Sequence, residues 1–143
     1  MKFYRLFLII ALLSFSFGCT NKKQEVEIEE VEIIGEENNT TIHIVTTEFY
    51  KEILEQDSIQ LVDVRTPKEY ANGTLPGAVN MDFLDEKKFR KSLDKLNREE
   101  PIYIFCQSGN RSGKSQLILK EMGFKEIYDM KGGYSQWVLE QEK

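Results

Sequence analysis

Histidine, cysteine and basic charge are all scarce in this chain. One histidine, His43, and two cysteines, Cys19 and Cys106, among 143 residues cannot supply the four Cys or His ligands of a structural zinc site. Two cysteines also exclude a disulfide framework of several bridges. Basic residues number 19 against 24 acidic ones, a formal net charge of −5, which argues against nucleic acid as a partner. Long apolar runs are missing too. The run from Leu6 to Phe17 is about a dozen residues, where a bilayer core of ~30 Å takes about 20 as a helix. With Lys2 and Arg5 around its start, residues 1–18 read as an export signal and not as a permanent span.

Gly18-Cys19 follows that run directly. A cysteine in this place resembles the lipobox of bacterial lipoproteins, which implies lipidation of Cys19 and attachment of the domain to the cell envelope, on the periplasmic side or the outer membrane. Ser16 and Phe17 also suit an ordinary cleaved signal. Without Lys2 and Arg5, 17 basic residues face 24 acidic ones, a net of −7, so membrane attachment is expected through the lipid and not through charge. Residues 19–41 are glutamate-rich and read as an acidic tether, with an edge strand over the short Val26, Ile28, Val31, Ile33 alternation as the lesser alternative. If lipid takes Cys19, Cys106 is the one thiol left.

From residue 42 to 143 the pattern is that of a single domain. Ile42–Val45, Ile59–Val64, Pro101–Phe105 and Glu126–Met130 are short apolar runs that read as strands. Helices are expected from Thr46 or Thr47 to Leu54, after Thr66, over Asp85–Leu96, from Ser112 to Gly123, and over Tyr134–Glu140. Thr66, Pro67 and Glu69 form the signature of a capping box with proline in the first turn. Strands alternating with helices predict an α/β domain of three layers, with a central, mostly parallel sheet covered by helices on both faces. Ligands of such sheets sit just outside the carboxyl ends of the strands. Asp63, Arg65 and the loop after Phe105 all fall at that edge.

That loop, "CQSGNRS", invites three anion-binding readings. A nucleotide-binding P-loop needs four residues between its glycine and Gly-Lys-Ser; Gly109 is followed by three before Gly113-Lys114-Ser115, and Ser108 stands where glycine would. A phosphatase loop needs five residues between cysteine and arginine; Cys106 and Arg111 enclose four. The tighter loop disfavours a phosphoryl centre and suits a single transferred sulfur atom. The third reading fits without adjustment. "CQSGNRS", "LVDVRTPKEYANG", "LPGAVNM" and "MKGGYSQW" together resemble the rhodanese family of sulfurtransferases, in family order and over about Ile44 to Trp137. Two positions depart from it: Thr74 replaces a histidine, and Gln107 replaces the arginine that many thiosulfate-using members carry after the cysteine.

The resemblance implies that Cys106 accepts sulfane sulfur from a small anionic donor such as thiosulfate, or from a persulfide, and passes it to cyanide or a thiol, a protein thiol included. The backbone amides of Gln107, Ser108, Gly109, Asn110, Arg111 and Ser112, with the Arg111 side chain, are expected to hold donor and persulfide. No metal and no organic cofactor are implied, and the protein is expected to act as a monomer. An ordinary thiol has a pKa of about 8.5, and the one histidine, His43, falls on the first predicted strand, so activation is expected from the amides, the start of the following helix and Arg111. Asp63 and Arg65 are expected to support the site, with Arg65 paired to a carboxylate such as Glu69. Tyr134 and Trp137 read as packing residues. The competing class is a rhodanese-like module that carries sulfur, senses redox state or binds a protein without turnover.

Overall fold

The computed structural model describes residues 29–31, 39–56 and 58–142. The export segment and Cys19 lie outside the described residues. The described residues form a six-stranded sheet in the order β1-β2-β6-β5-β3-β4. Five of these strands run parallel: β2 (Thr41–Val45), β6 (Glu126–Met130), β5 (Ile102–Phe105), β3 (Gln60–Asp63) and β4 (Val79–Asn80). β1 (Glu29–Val31) pairs antiparallel with β2, Val31 opposite Ile42. This corrects the tether reading at those three residues. Without β1 the outer edge of β2 would present an unpaired ladder, and pairing with these three residues satisfies its amides and carbonyls.

The helices are α1 (Thr47–Ile53), α2 (Pro67–Ala71), α3 (Glu86–Leu93), α4 (Asn110–Glu121) and α5 (Gly133–Gln141). Thr46 caps α1, accepting from the Phe49 amide, and the expected capping box between Thr66 and Glu69 opens α2. Asp85 caps α3. The period-two alternation of the strands sends side chains to two cores. Val62, Ile104 and Ile127 pack with Phe89 and Leu93 of α3 and Leu119 of α4 on one face. Leu61, Tyr103 and Phe105 pack with Tyr50 and Ile53 of α1 on the other, against Tyr134 and Trp137 of α5. Helices therefore cover both faces, as the strand composition predicted. Among the described residues, no helix is long and apolar enough to cross a membrane.

Candidate active site

Parallel register brings the site together. Asp63 of β3 lies opposite Phe105 of β5, so the chain leaves both strands at one level, and the residues just beyond them share one edge of the sheet. Cys106 is the first residue past β5. Gly109 then takes a left-handed conformation, φ 95°, which a side chain would resist. The turn starts α4 at Asn110, two residues earlier than its composition suggested.

The tight turn points backbone donors at sulfur. The Gly109 amide donates to Cys106 Sγ at 3.1 Å, and the Ser112 hydroxyl lies 3.6 Å from it. Cys106 is 1% exposed. Burial pushes its thiol up, but the amide and hydroxyl of Ser112 and the amides of Ser108 and Gly109 outweigh burial, and the thiol ends below its ordinary value. A helix N-terminus is known to do this to a thiol.

The other side of the loop is held by α5. The Tyr134 amide donates to the Cys106 carbonyl at 2.8 Å, and the Ser135 amide to the Gln107 carbonyl at 3.0 Å. In a trans peptide the carbonyl and the next N–H point opposite ways. Anchoring these two carbonyls on α5 thus turns the amides of Gln107 and Ser108 away from α5. Close approach is what Gly133 permits, since a Cβ there would lie 2.5 Å from the Cys106 carbonyl oxygen. The Gly-Gly pair was visible in the sequence, but its contact with the loop was not.

Two buried or half-buried ion pairs frame the loop. Arg111 makes a two-pronged contact with Glu69, at 2.7 and 2.5 Å. The Arg111 hydrogen bonds hold the Glu69 carboxyl down at about 2, against a smaller upward push from burial and with help from Thr66. Arg65 pairs with Asp63 and not with Glu69, which corrects the expected partner. Its Nη2 lies 2.7 Å from Asp63 Oδ2, with both side chains at most 2% exposed. The physical reason is local: the Arg65 amide also donates to Asp63 Oδ1 at 2.9 Å, so a compact turn puts the two side chains together, while Glu69 already serves Thr66 and Arg111.

Arg65 carries further contacts. It donates to the Gly73 carbonyl at 2.6 Å and to Gln107 Oε1 at 3.1 Å, and its guanidinium lies 3.9 Å from the Tyr134 ring centroid. Thr74 donates to Asp63 Oδ2 at 2.9 Å. Asn80, in the Pro-Gly-Ala segment, donates to the carbonyls of Asp63 and Arg65. Gln107 spends its side chain in this frame, since its Nε2 also donates to Ser135 Oγ at 2.8 Å. Of the residues expected around the sulfur, Ser108, Gly109 and Ser112 meet it directly, and Arg111 faces it electrostatically. The side chains of Ser108 and Asn110 are exposed. Tyr134 does more than pack, because it stacks on Arg65. Among the described residues, no group of three potential metal ligands occurs.

Comparison with known proteins bears on the domain as a whole. The model of the rhodanese-like domain matches residues 46–140. The chain is 37% identical over 100 residues to the tRNA uridine(34) hydroxylase of Pelagibacter ubique, covering 70% of this chain and 33% of that protein. It is 31% identical over 102 residues to the putative sulfur carrier protein YrkF of Bacillus subtilis, covering 71% and 54%. The chain thus spans well under two thirds of the length of these two curated relatives. Among solved structures it is similar to the human single-domain sulfurtransferase TSTD1, with a TM-score of 0.58 and 26% identity over 70% of this chain and 97% of that one.

Proposed function

The chain belongs to the rhodanese-like domain family, and from that premise we propose that it is a sulfurtransferase whose nucleophile is Cys106. The observation that carries this is the sulfur itself, which receives the Gly109 amide at 3.1 Å at the mouth of a helix and holds its thiol below the ordinary value. A thiol kept only for packing has no need of inward amides. The thiolate attacks the outer sulfur of thiosulfate or of a persulfide. The sulfur–sulfur bond of the donor breaks, its electron pair leaves with sulfite or a thiolate, and Cys106 becomes a persulfide anion. Cyanide or an acceptor thiolate then attacks the outer sulfur, and the pair returns to Sγ. The loop amides stabilise anionic sulfur in both steps without reorganising.

A second reading is supported by the charge frame. Both arginines at the mouth are already neutralised, Arg65 by Asp63 and Arg111 by Glu69, and Gln107 adds no cation. Such a site suits a carrier that takes sulfur from a protein persulfide better than a catalyst for a free dianion, and one relative bears the name of a putative sulfur carrier. The sequence of residues 1–19 supports a place in the bacterial cell envelope for either role, by export and a lipid on Cys19.

Intact mass of the full chain carrying Cys19→Ser, before and after thiosulfate or a persulfide donor, tests the proposal. Gain of one sulfur atom, erased by cyanide and absent in Cys106→Ser, is the expected result. Loading by the persulfide alone assigns the carrier role. A folded protein whose Cys106 alkylates but gains no sulfur from either donor overturns sulfur transfer.

A further inference from the structure

Gln107 has a side chain that no step of the sulfur-transfer scheme uses, yet it is held at both ends. Oε1 accepts from Arg65 Nη1 at 3.1 Å, and Nε2 donates to Ser135 Oγ at 2.8 Å. The main chain repeats the second tie, since the Ser135 amide donates to the Gln107 carbonyl at 3.0 Å. Gln107 and Ser135 therefore meet twice, once through backbone and once through side chains.

Arg65 restricts which residue can stand here. Its Nε and Nη2 serve Asp63, and Nη2 also reaches the Gly73 carbonyl at 2.6 Å. Nη1 goes to Gln107, and Arg65 is 1% exposed, so without that acceptor a charged donor would be buried unpaired, which is costly. A guanidinium only donates. Arginine or lysine at 107 would set a second cation against Arg65 and offer it no acceptor. Glutamate would keep the acceptor and lose the donor to Ser135. A primary amide supplies an acceptor at one end and a donor at the other, and asparagine is one methylene shorter.

The tie bears on the sulfur through the turn that Gln107 begins. Two residues on, the Gly109 amide donates to Cys106 Sγ at 3.1 Å. α5 holds the Gln107 carbonyl, while Arg65, seated on Asp63 at the end of β3, holds its side chain. The start of the turn is thus fixed from two separate elements.

We propose that Gln107 is a positioning residue for the nucleophile: its side-chain amide ties Arg65 to α5 and so fixes the turn that aims the Gly109 amide at Cys106 Sγ. The inference rests on Cys106 being the nucleophile of the proposed reaction.

The test is the pH–rate profile of Cys106 alkylation by iodoacetamide, a neutral reagent, on the full chain carrying Cys19→Ser. Gln107→Met removes both side-chain bonds at similar length, and Ser135→Ala removes only the bond to α5. In both, the midpoint of the profile is expected to move up. Below the midpoint the rate should fall roughly two- to tenfold, the range of a single hydrogen bond, and the rates should converge where every thiol is ionised. Ser135→Thr keeps the hydroxyl and is expected to restore the wild-type midpoint. Ser135 is exposed, and its alanine variant leaves the Arg65 bond in place, which keeps the test open should Gln107→Met fail to fold. A lower Tm with an unmoved midpoint in the folded variants marks a merely structural contact and overturns the proposal. A midpoint that moves in Gln107→Met and not in Ser135→Ala overturns the tie to α5. Because alkylation reads ionisation of the thiol and not sulfur transfer, failure of persulfide formation cannot imitate either result.

Discussion

Replacing Gly133 by alanine separates the docking of α5 from the strain of its backbone. Gly133 has φ +61°, and a Cβ there would lie 2.5 Å from the Cys106 carbonyl oxygen and 2.8 Å from both the Gln107 carbonyl carbon and the Ser108 nitrogen. All three are backbone atoms of the sulfur loop. Relief requires helix and loop to part by ~1 Å, and a misplacement of that size can cost up to about 100-fold in rate. The two amide contacts from Tyr134 and Ser135 stretch with it. Left-handed strain adds ~1–2 kcal/mol, and overpacking typically a further ~1–3 kcal/mol. Gly77 supplies the control, since it has φ +76° with nothing near its missing Cβ. Gly77→Ala is expected to lose only the strain, roughly 4–16 °C in Tm for a domain of this size, and to load sulfur at the wild-type rate. Gly133→Ala is expected to lose more stability and to load roughly 10- to 100-fold more slowly. Mass-resolved persulfide loading and thermal unfolding of both variants read this directly. Equal loading rates in the two folded variants would refute the docking argument.

Glu69 makes stability depend on pH in a defined window. Its folded carboxyl is depressed from 4.5 to about 2, so its contribution is whole above 4.5 and is lost as pH falls toward 2. Glu69→Gln removes that limb, on the order of 1 kcal/mol after discounting for partial exposure, and acid-unfolding curves of variant and wild type should converge at low pH; curves that stay parallel refute the pair as the cause. Asp63→Asn leaves the buried Arg65 charge without its carboxylate, and the expected loss is ~3–5 kcal/mol by urea midpoint. A loss under ~1 kcal/mol would mean that Gln107, Gly73 and Tyr134 hold Arg65 by themselves.

The succession of strands and helices along the chain and the sulfur loop were legible because both are local. Apolar runs such as Pro101–Phe105 declare buried strands, and Cys106 to Ser112 is contiguous, so its tight spacing could be weighed residue by residue. Ion partners were not legible, because Arg65 and Arg111 could each pair with Asp63 or Glu69 as far as the sequence shows. Register resolves it: with Asp63 opposite Phe105, Arg65 falls opposite Gln107 and bonds to it, while the start of α2 brings Glu69 to Arg111. Asp129, buried in β6 and bonded to Gln116 of α4, escaped for a related reason, since nothing in "EIYDM" says that its fourth residue turns toward that helix.

Register also bears on the donor. Each arginine at the mouth is matched by a carboxylate, and Gln107 fills the place of a third cation, so anionic sulfur must be held mainly by backbone amides. Amides add no net charge, and attraction of a dianion from solvent should therefore be weak and little screened by salt. Persulfide loading of the wild type from thiosulfate is expected to change less than about threefold between low salt and 0.5 M salt. A steep fall across that range would show that an unpaired cation, and not the amide cradle, draws the donor in.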